Sequence, residues 1–174
     1  MQPNSSKIIQ MPEKSTCTTE DHCKSVLGDP AKHAWIALIT TNARLYQEID
    51  RRLSESCGVN MDIYDVLLNL EIAPNMRLRM SELAEAVLFS RSGITRLIDR
   101  LERLGWVIRE SCPADRRSLY AALTPAGLNA RKGAWPIYQE AIQELFASKM
   151  SSEEAENIAM IFERMTPNVW SKLT

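Results

Sequence analysis

Apolar positions recur along this chain with two different periods, and the change of period divides it into elements. After a polar start, Asp29-Pro30 has the form of a helix cap with proline in the first turn, and Trp35, Leu38, Leu45, Ile49 and Leu53 follow at helical spacing. The spacing predicts a first helix to about Glu55, closed by Gly58. Asn60 then caps a second helix through Ile72, with Ile63, Val66, Leu67 and Leu70 on a broad face, and Pro74 ends it. The stretch Leu78-Arg79-Met80 is extended at most. Ser81 opens a third helix, Glu82 to Val87, with Leu83, Ala84 and Val87 inward. Ser90 opens a fourth, Arg91 to Leu104, whose Ile94, Leu97, Ile98, Leu101 and Leu104 make one face. Two short helices joined by Leu88-Phe89-Ser90 read as a helix-turn-helix.

Past Gly105 the period shortens. Trp106-Val107-Ile108 and Leu119 to Leu123 resemble two strands around the turn-rich tip Pro113-Ala114-Asp115-Arg116, a winged hairpin. Helical spacing then returns: Thr124-Pro125 starts a fifth helix, and the capping box Ser151-x-x-Glu154 opens a sixth with Ile158, Ile161, Phe162 and Met165 on one face. The expected fold class is mainly α: a winged helix-turn-helix with a short β-hairpin wing, flanked by N- and C-terminal helices. Residues 1–28, polar and poor in large apolar groups, are expected to be a flexible tail, and 29–174 one domain.

Composition narrows this little. With 174 residues, 45% hydrophobic and 25% charged, the chain suits one soluble domain plus an appendage, and six glycines among many Leu, Ala, Glu and Arg weigh against a β-sandwich or a nucleotide-binding α/β fold. No signal-peptide core or membrane-length apolar run is present, and four cysteines without disulfide-scaffold spacing fit a reducing compartment, so a cytoplasmic location is expected. Charge changes the picture more. The net charge is −1, yet residues 91–117 hold seven arginines against four acids, while residues 137–174 are net −3. The basic part uses arginine only, and its planar fork suits phosphate and guanine.

A helix-turn-helix followed by a hairpin presents one helix to the major groove and an arginine-tipped loop to the neighbouring groove. The outward positions of the fourth helix are Ser90, Arg91, Ser92, Thr95 and Arg96, and the loop carries Asp115, Arg116 and Arg117. The competing reading is a solvated face, with Asp99 and Glu102 pairing to Arg96, Arg100 or Arg103 inside one helix.

Residues 59–127, and especially Met80-Ser-Glu-Leu-Ala-Glu, Ser90-Arg-Ser-Gly-Ile-Thr-Arg-Leu-Ile-Asp-Arg-Leu-Glu and Asp115-Arg-Arg with Leu123-Thr-Pro-Ala-Gly127, resemble the winged-helix core of the MarR (multiple antibiotic resistance regulator) family. The likeness extends over about residues 31–170. It implies 60–124 as the DNA-binding core, with 29–58 and 125–174 as dimerisation helices of a homodimer that binds double-stranded DNA, usually as a repressor. The fourth helix becomes the recognition helix; Arg117 enters the minor groove and Asp115 holds the hairpin. The resemblance also implies a small aromatic or anionic effector, for which the plausible lining is Trp35, Ile39, Tyr46, Tyr64, Asp65 and Leu68, each of these aromatics fitting plain core packing as well. A urate-responsive branch of the family uses a Trp, an Asp and wing arginines, to which Trp35, Asp65 and Arg109 or Arg117 correspond.

A thiol-sensing branch offers an alternative through Cys17 or Cys23, with Cys57 and Cys112 the remaining thiols, and a winged helix serving only protein contacts is a further one. An enzyme is disfavoured: the two histidines, His22 and His33, accompany no nucleophile elbow or phosphate loop, and no cofactor or metal is expected.

Overall fold

The structure, a computed structural model, describes residues 29–87, 90–112 and 115–166, without the side chains of Arg91 and residues 112–118. The expected tail, residues 1–28, and the Leu88-Phe89 link lie outside the described residues. The described residues up to Asn42 belong to one unit and those from Ala43 to a second. The boundary falls within helix α1, Pro30–Cys57. In the first unit the Asp29 carboxylate accepts from the Ala31 N–H at 2.9 Å, capping α1 as Asp29-Pro30 predicts.

The second unit is built around α2, Met61–Ile72. Asn60 caps it by accepting from Ile63 N–H, and Asp50 on α1 accepts from Met61 N–H at 2.8 Å. α2 buries Met61, Ile63, Tyr64, Val66, Leu67 and Leu70, so it is apolar almost all round and forms the centre of the core. After a 3₁₀ turn, Pro74–Met76, the chain enters β1, Arg77–Arg79, and then α3, Met80–Ala86. Two expectations are corrected here. The stretch read as extended at most is a paired strand, and α3 begins at Met80 rather than after Ser81. β1 runs directly into the helix, so Arg79 takes the junction, its N–H donating to Glu82 at 3.0 Å.

Helix α4, Arg91–Arg103, starts at Ser90, whose hydroxyl accepts from Gly93 N–H at 3.1 Å. It buries Ile94, Ile98 and Leu101, with Leu97 half-buried. Leu104, expected on the same face, is exposed, because it is the cap residue and the chain leaves the helix there. Gly105 follows at φ +70°, and the pair of bonds Gly105 N–H to Glu102 and Trp106 N–H to Leu101 closes a Schellman motif that a Cβ would strain.

Strands β2, Val107–Cys112, and β3, Asp115–Leu123, are longer than the expected pair and run up to the hairpin tip. The sheet is antiparallel in the order β1-β3-β2, with Val107 opposite Leu123 and Leu78 opposite Ala121. Val107, Ala121 and Leu123 face the core. On the opposite face the Arg77 guanidinium lies 5.2 Å from the Tyr120 ring centroid and pairs with Glu110.

Thr124 caps α5, Pro125–Leu145, by accepting from Gly127 N–H. A Cβ on Gly127 would fall on the Trp106 carbonyl oxygen and 2.9 Å from Leu123 Cδ1, so this position is closed to larger residues. Gly127, Ala134 and Ala141 are buried at seven-residue intervals along α5, which packs on α2. Tyr138 of α5 stacks on Tyr64 at 4.5 Å, Arg131 pairs with Glu71, and Arg52 of α1 reaches Glu144 at 2.7 Å. α6, Ser152–Met165, opens with the expected Ser151/Glu154 capping box and contains no buried residue. Among the described residues no helix is long and apolar enough to cross a membrane.

Candidate nucleic-acid interface

α4 has two chemically distinct sides, and burial of its apolar side sets which one is presented. Ile94, Ile98 and Leu101 are sealed against the core, which turns Ser92, Thr95 and Arg96 outward together with Ser90 at the N-terminus. The Ser90 and Ser92 hydroxyls lie 3.3 Å apart. Four of the five predicted contact residues of this helix therefore share one exposed end; the side chain of Arg91 lies outside the described residues. The N-terminal amides of the same turn add partial positive charge for a phosphate.

The wing is formed from β2 and β3, paired antiparallel from Val107 opposite Leu123 to Cys112 opposite Asp115. The side chains of Asp115, Arg116 and Arg117, all predicted contacts, lie outside the described residues.

The competing reading paired the acids of α4 with arginines of the same helix, and the structure pairs them with Arg109 instead. Arg109, on the core-facing side of β2 with Val107, donates to Asp99 Oδ1 at 2.6 Å and to the Thr95 carbonyl at 3.3 Å, and pairs with Glu102; its backbone N–H also donates to Glu102 at 3.1 Å. Arg96 and Arg100 form no ion pair with any described residue and are exposed. The network was missed because its partners are separated by a turn and part of a strand. A signal existed: Asp99 and Glu102 are three apart on one helix edge, and Arg109 has the inward parity of Val107. Met80, Thr95, Asp99, Arg109 and Leu119 line an open cleft of about 500 Å³ between α4 and the hairpin. Arg109, offered above as a ligand arginine, is thus engaged with α4.

The residues predicted to line an effector site are divided. Trp35 and Ile39 belong to the first unit and are 63% and 46% exposed. In the second unit Tyr46 donates to Asp62 at 2.5 Å, and desolvation with that bond and nearby Asp65 and Asp50 pushes its pKa well up. Asp65 is half-buried and raised to about 6, first by burial and then by Asp62. Leu68 is half-buried. Tyr64 is fully buried in the core, and burial raises its hydroxyl despite Arg131 beside it. Of the thiols, Cys57 is exposed at the end of α1 with its Sγ donating to the Leu53 carbonyl; Cys17, Cys23 and the Cys112 side chain lie outside the described residues. No group of acidic, histidine or cysteine side chains suited to a metal occurs among the described residues.

A family model described as the MarR family matches residues 58–118, the stretch from the start of α2 to the wing. The transcriptional repressor MprA of Escherichia coli (strain K12) is 29% identical over 114 residues, covering 66% of this chain and 64% of that protein. The HTH-type transcriptional regulator PrsX of Escherichia coli is 36% identical over 90 residues, covering 52% of this chain and 54% of that protein. The chain thus spans between half and two thirds of the length of these curated relatives. Among solved structures, Sco3205 from Streptomyces coelicolor, a MarR family transcriptional regulator in complex with DNA, superposes with a TM-score of 0.72 at 28% identity, covering 85% of this chain and 87% of that one.

Proposed function

Because the chain belongs to the MarR family, we propose that it is a dimeric transcriptional regulator, acting as a repressor, that binds a pseudopalindromic DNA operator. The observation that carries this reading is the outward end of α4: hydroxyls and Arg96 sit exposed at a helix N-terminus, while the acids that would neutralise them are held by Arg109. On this reading Ser90, Arg91, Ser92, Thr95 and Arg96 enter the major groove, and the wing tip, Asp115, Arg116 and Arg117, follows the adjacent minor groove. The likeness to Sco3205, a structure in complex with DNA, supports DNA as the partner. A solvated arginine face would pair Arg96 with a helix carboxylate; here Asp99 and Glu102 are paired with Arg109 instead.

Two copies are required for a pseudopalindrome, and the uncovered apolar residues of α6, with Met165 67% exposed, suit a dimer. An aromatic or anionic effector would weaken operator binding by favouring a separation of the two winged regions that misses successive grooves; it shifts that equilibrium only by its differential affinity, typically about 1 to 3 kcal/mol. Tyr46, Asp65 and Leu68 in the second unit, and Trp35 and Ile39 in the first, are the residues to substitute in a screen of phenolic acids and urate.

Sequencing the DNA that the purified protein retains tests the proposal, and solution mass tests the dimer. On the recovered duplex, Arg96→Ala costs about 1 to 3 kcal/mol and flattens discrimination. Arg117→Ala instead reduces the preference for A·T-rich flanks, where the minor groove is narrow. Equal small losses for both variants on cognate and scrambled duplexes would reduce the arginine cluster to a solvated face.

A further inference from the structure

The acceptors of Arg109 lie at positions 95, 99 and 102, one stripe running along successive turns of α4. A single guanidinium on β2 therefore grips the helix over much of its length rather than at a point. Its side chain is only 21% exposed, which limits solvent screening, and the flanking backbone N–H to Glu102 holds the strand itself against the helix. The buried residues Ile94, Ile98 and Leu101 fix how far α4 stands from the core. Apolar packing is not directional, however, and leaves rotation and sliding weakly specified. The fork of Arg109 supplies the missing directional restraint, in register with the strand that leads to the wing.

The same contacts have an electrostatic consequence. Asp99 lies within about one turn of Arg96, Arg100 and Arg103, and Glu102 within one turn of Arg100 and Arg103, where an unpaired carboxylate would both compete for those cations and repel phosphate.

We propose that Arg109 is a positioning residue for nucleic-acid recognition: it locks α4 to the hairpin in one relative orientation and withdraws Asp99 and Glu102 from the DNA-facing arginines, without itself touching DNA. The proposal rests on the reading of α4 as the groove helix. Lysine is a poor replacement, because an ammonium lacks the planar fork that meets three acceptors at fixed angles.

Two measurements separate this proposal from the one it rests on. In the free protein, hydrogen exchange of the α4 amides reads the lock alone: R109Q speeds exchange at least tenfold in the second half of α4 relative to the α2 amides, R109K restores part of the protection, and unchanged protection overturns the lock. On the duplex recovered by retained-DNA sequencing, R109Q weakens binding at least tenfold with the slope of log affinity against log salt unchanged. A slope lowered by about 0.9 would instead make Arg109 a direct phosphate contact and overturn the positioning role. Asp99→Asn and Glu102→Gln give the decisive sign. Coulomb's law alone predicts tighter DNA binding when an acid is removed, whereas the lock predicts severalfold weaker binding for each, with little further loss when combined with R109Q. Tighter binding by both acid variants sinks the proposal. Wild-type protein that retains no DNA would remove the groove reading and with it the role in recognition, while exchange still decides whether the lock exists.

Discussion

Helices α4 and α6 are 13 and 14 residues long, each opened by a serine whose hydroxyl accepts from the third amide of the helix, and each carries apolar residues at helical spacing. Their fates differ. α4 seals Ile94, Ile98 and Leu101 to 1% exposure or less, while α6 buries nothing and leaves Ile161 and Met165 40% and 67% exposed. Periodicity states that a face needs cover and is silent about what covers it. For α4 the cover is supplied by α3, β2 and the core they share in the same chain; for α6 a second copy of the chain is the proposed cover.

The strongest way to break the core side of this contrast is Gly127→Ala. Its Cβ meets the Trp106 carbonyl and Leu123, so the start of α5 must shift, at an expected cost of at least about 3 kcal/mol in urea unfolding. Leu101→Ala in α4 follows, with about 2 to 5 kcal/mol lost and no dependence on protein concentration, since its partners lie in its own chain.

The sign of the pH response also distinguishes the two regions. Asp65 on α2 has its folded pKa raised to about 6 from 3.8, so the stability linked to it is full below pH 4 and is lost as pH rises through about 6. Asp65→Asn is therefore expected to stabilise the protein by about 1 to 2 kcal/mol at pH 7.5, after allowance for partial solvent screening, with no gain at pH 4. Glu154 on α6 has the opposite sign: the Ser151 N–H and hydroxyl hold its pKa down. Its contribution is present above the ordinary glutamate range and is lost as pH falls through the depressed value. Unfolding curves for Asp65→Asn and Glu154→Gln across pH 3 to 8 check both signs.

Smaller effects sharpen the comparison at the level of local chemistry. Ser90→Ala and Ser151→Ala each remove an N-cap and should each cost about 1 kcal/mol, with Ser151→Ala also losing the hydroxyl bond to Glu154. A larger loss at Ser90 than at Ser151 would mean that tertiary cover alters the cap itself. The smallest expected change in unfolding is Ile161→Ser, under about 0.5 kcal/mol for dilute single chains. The same variant should raise the dimer dissociation constant at least tenfold in sedimentation equilibrium if α6 is covered by a second copy.

Much of the fold is legible in the sequence. The caps at Asn60, Ser90, Thr124 and Ser151, the breaks at Gly58, Pro74 and Gly105, and the inward faces of α2 and α4 are local signals, written within a few residues of where they act. So was the outward set Ser90, Ser92, Thr95 and Arg96, because a helix that hides Ile94 and Ile98 has only one other side. The pairing of β1 with β3 was not legible, because Arg77 meets Ala122 across an interval that no local pattern spans. The start of α3 shifted for the same reason, the strand before it being unrecognised. The partner of Asp99 and Glu102 was decided only in three dimensions. Within the helix three arginines stood at plausible spacing, and the one that took both acids arrives from β2 with its fork already aligned. Sequence determines which groups are available and on which side of an element they stand. Tertiary structure decides which of several competent partners is close enough, and sufficiently removed from water, to hold them.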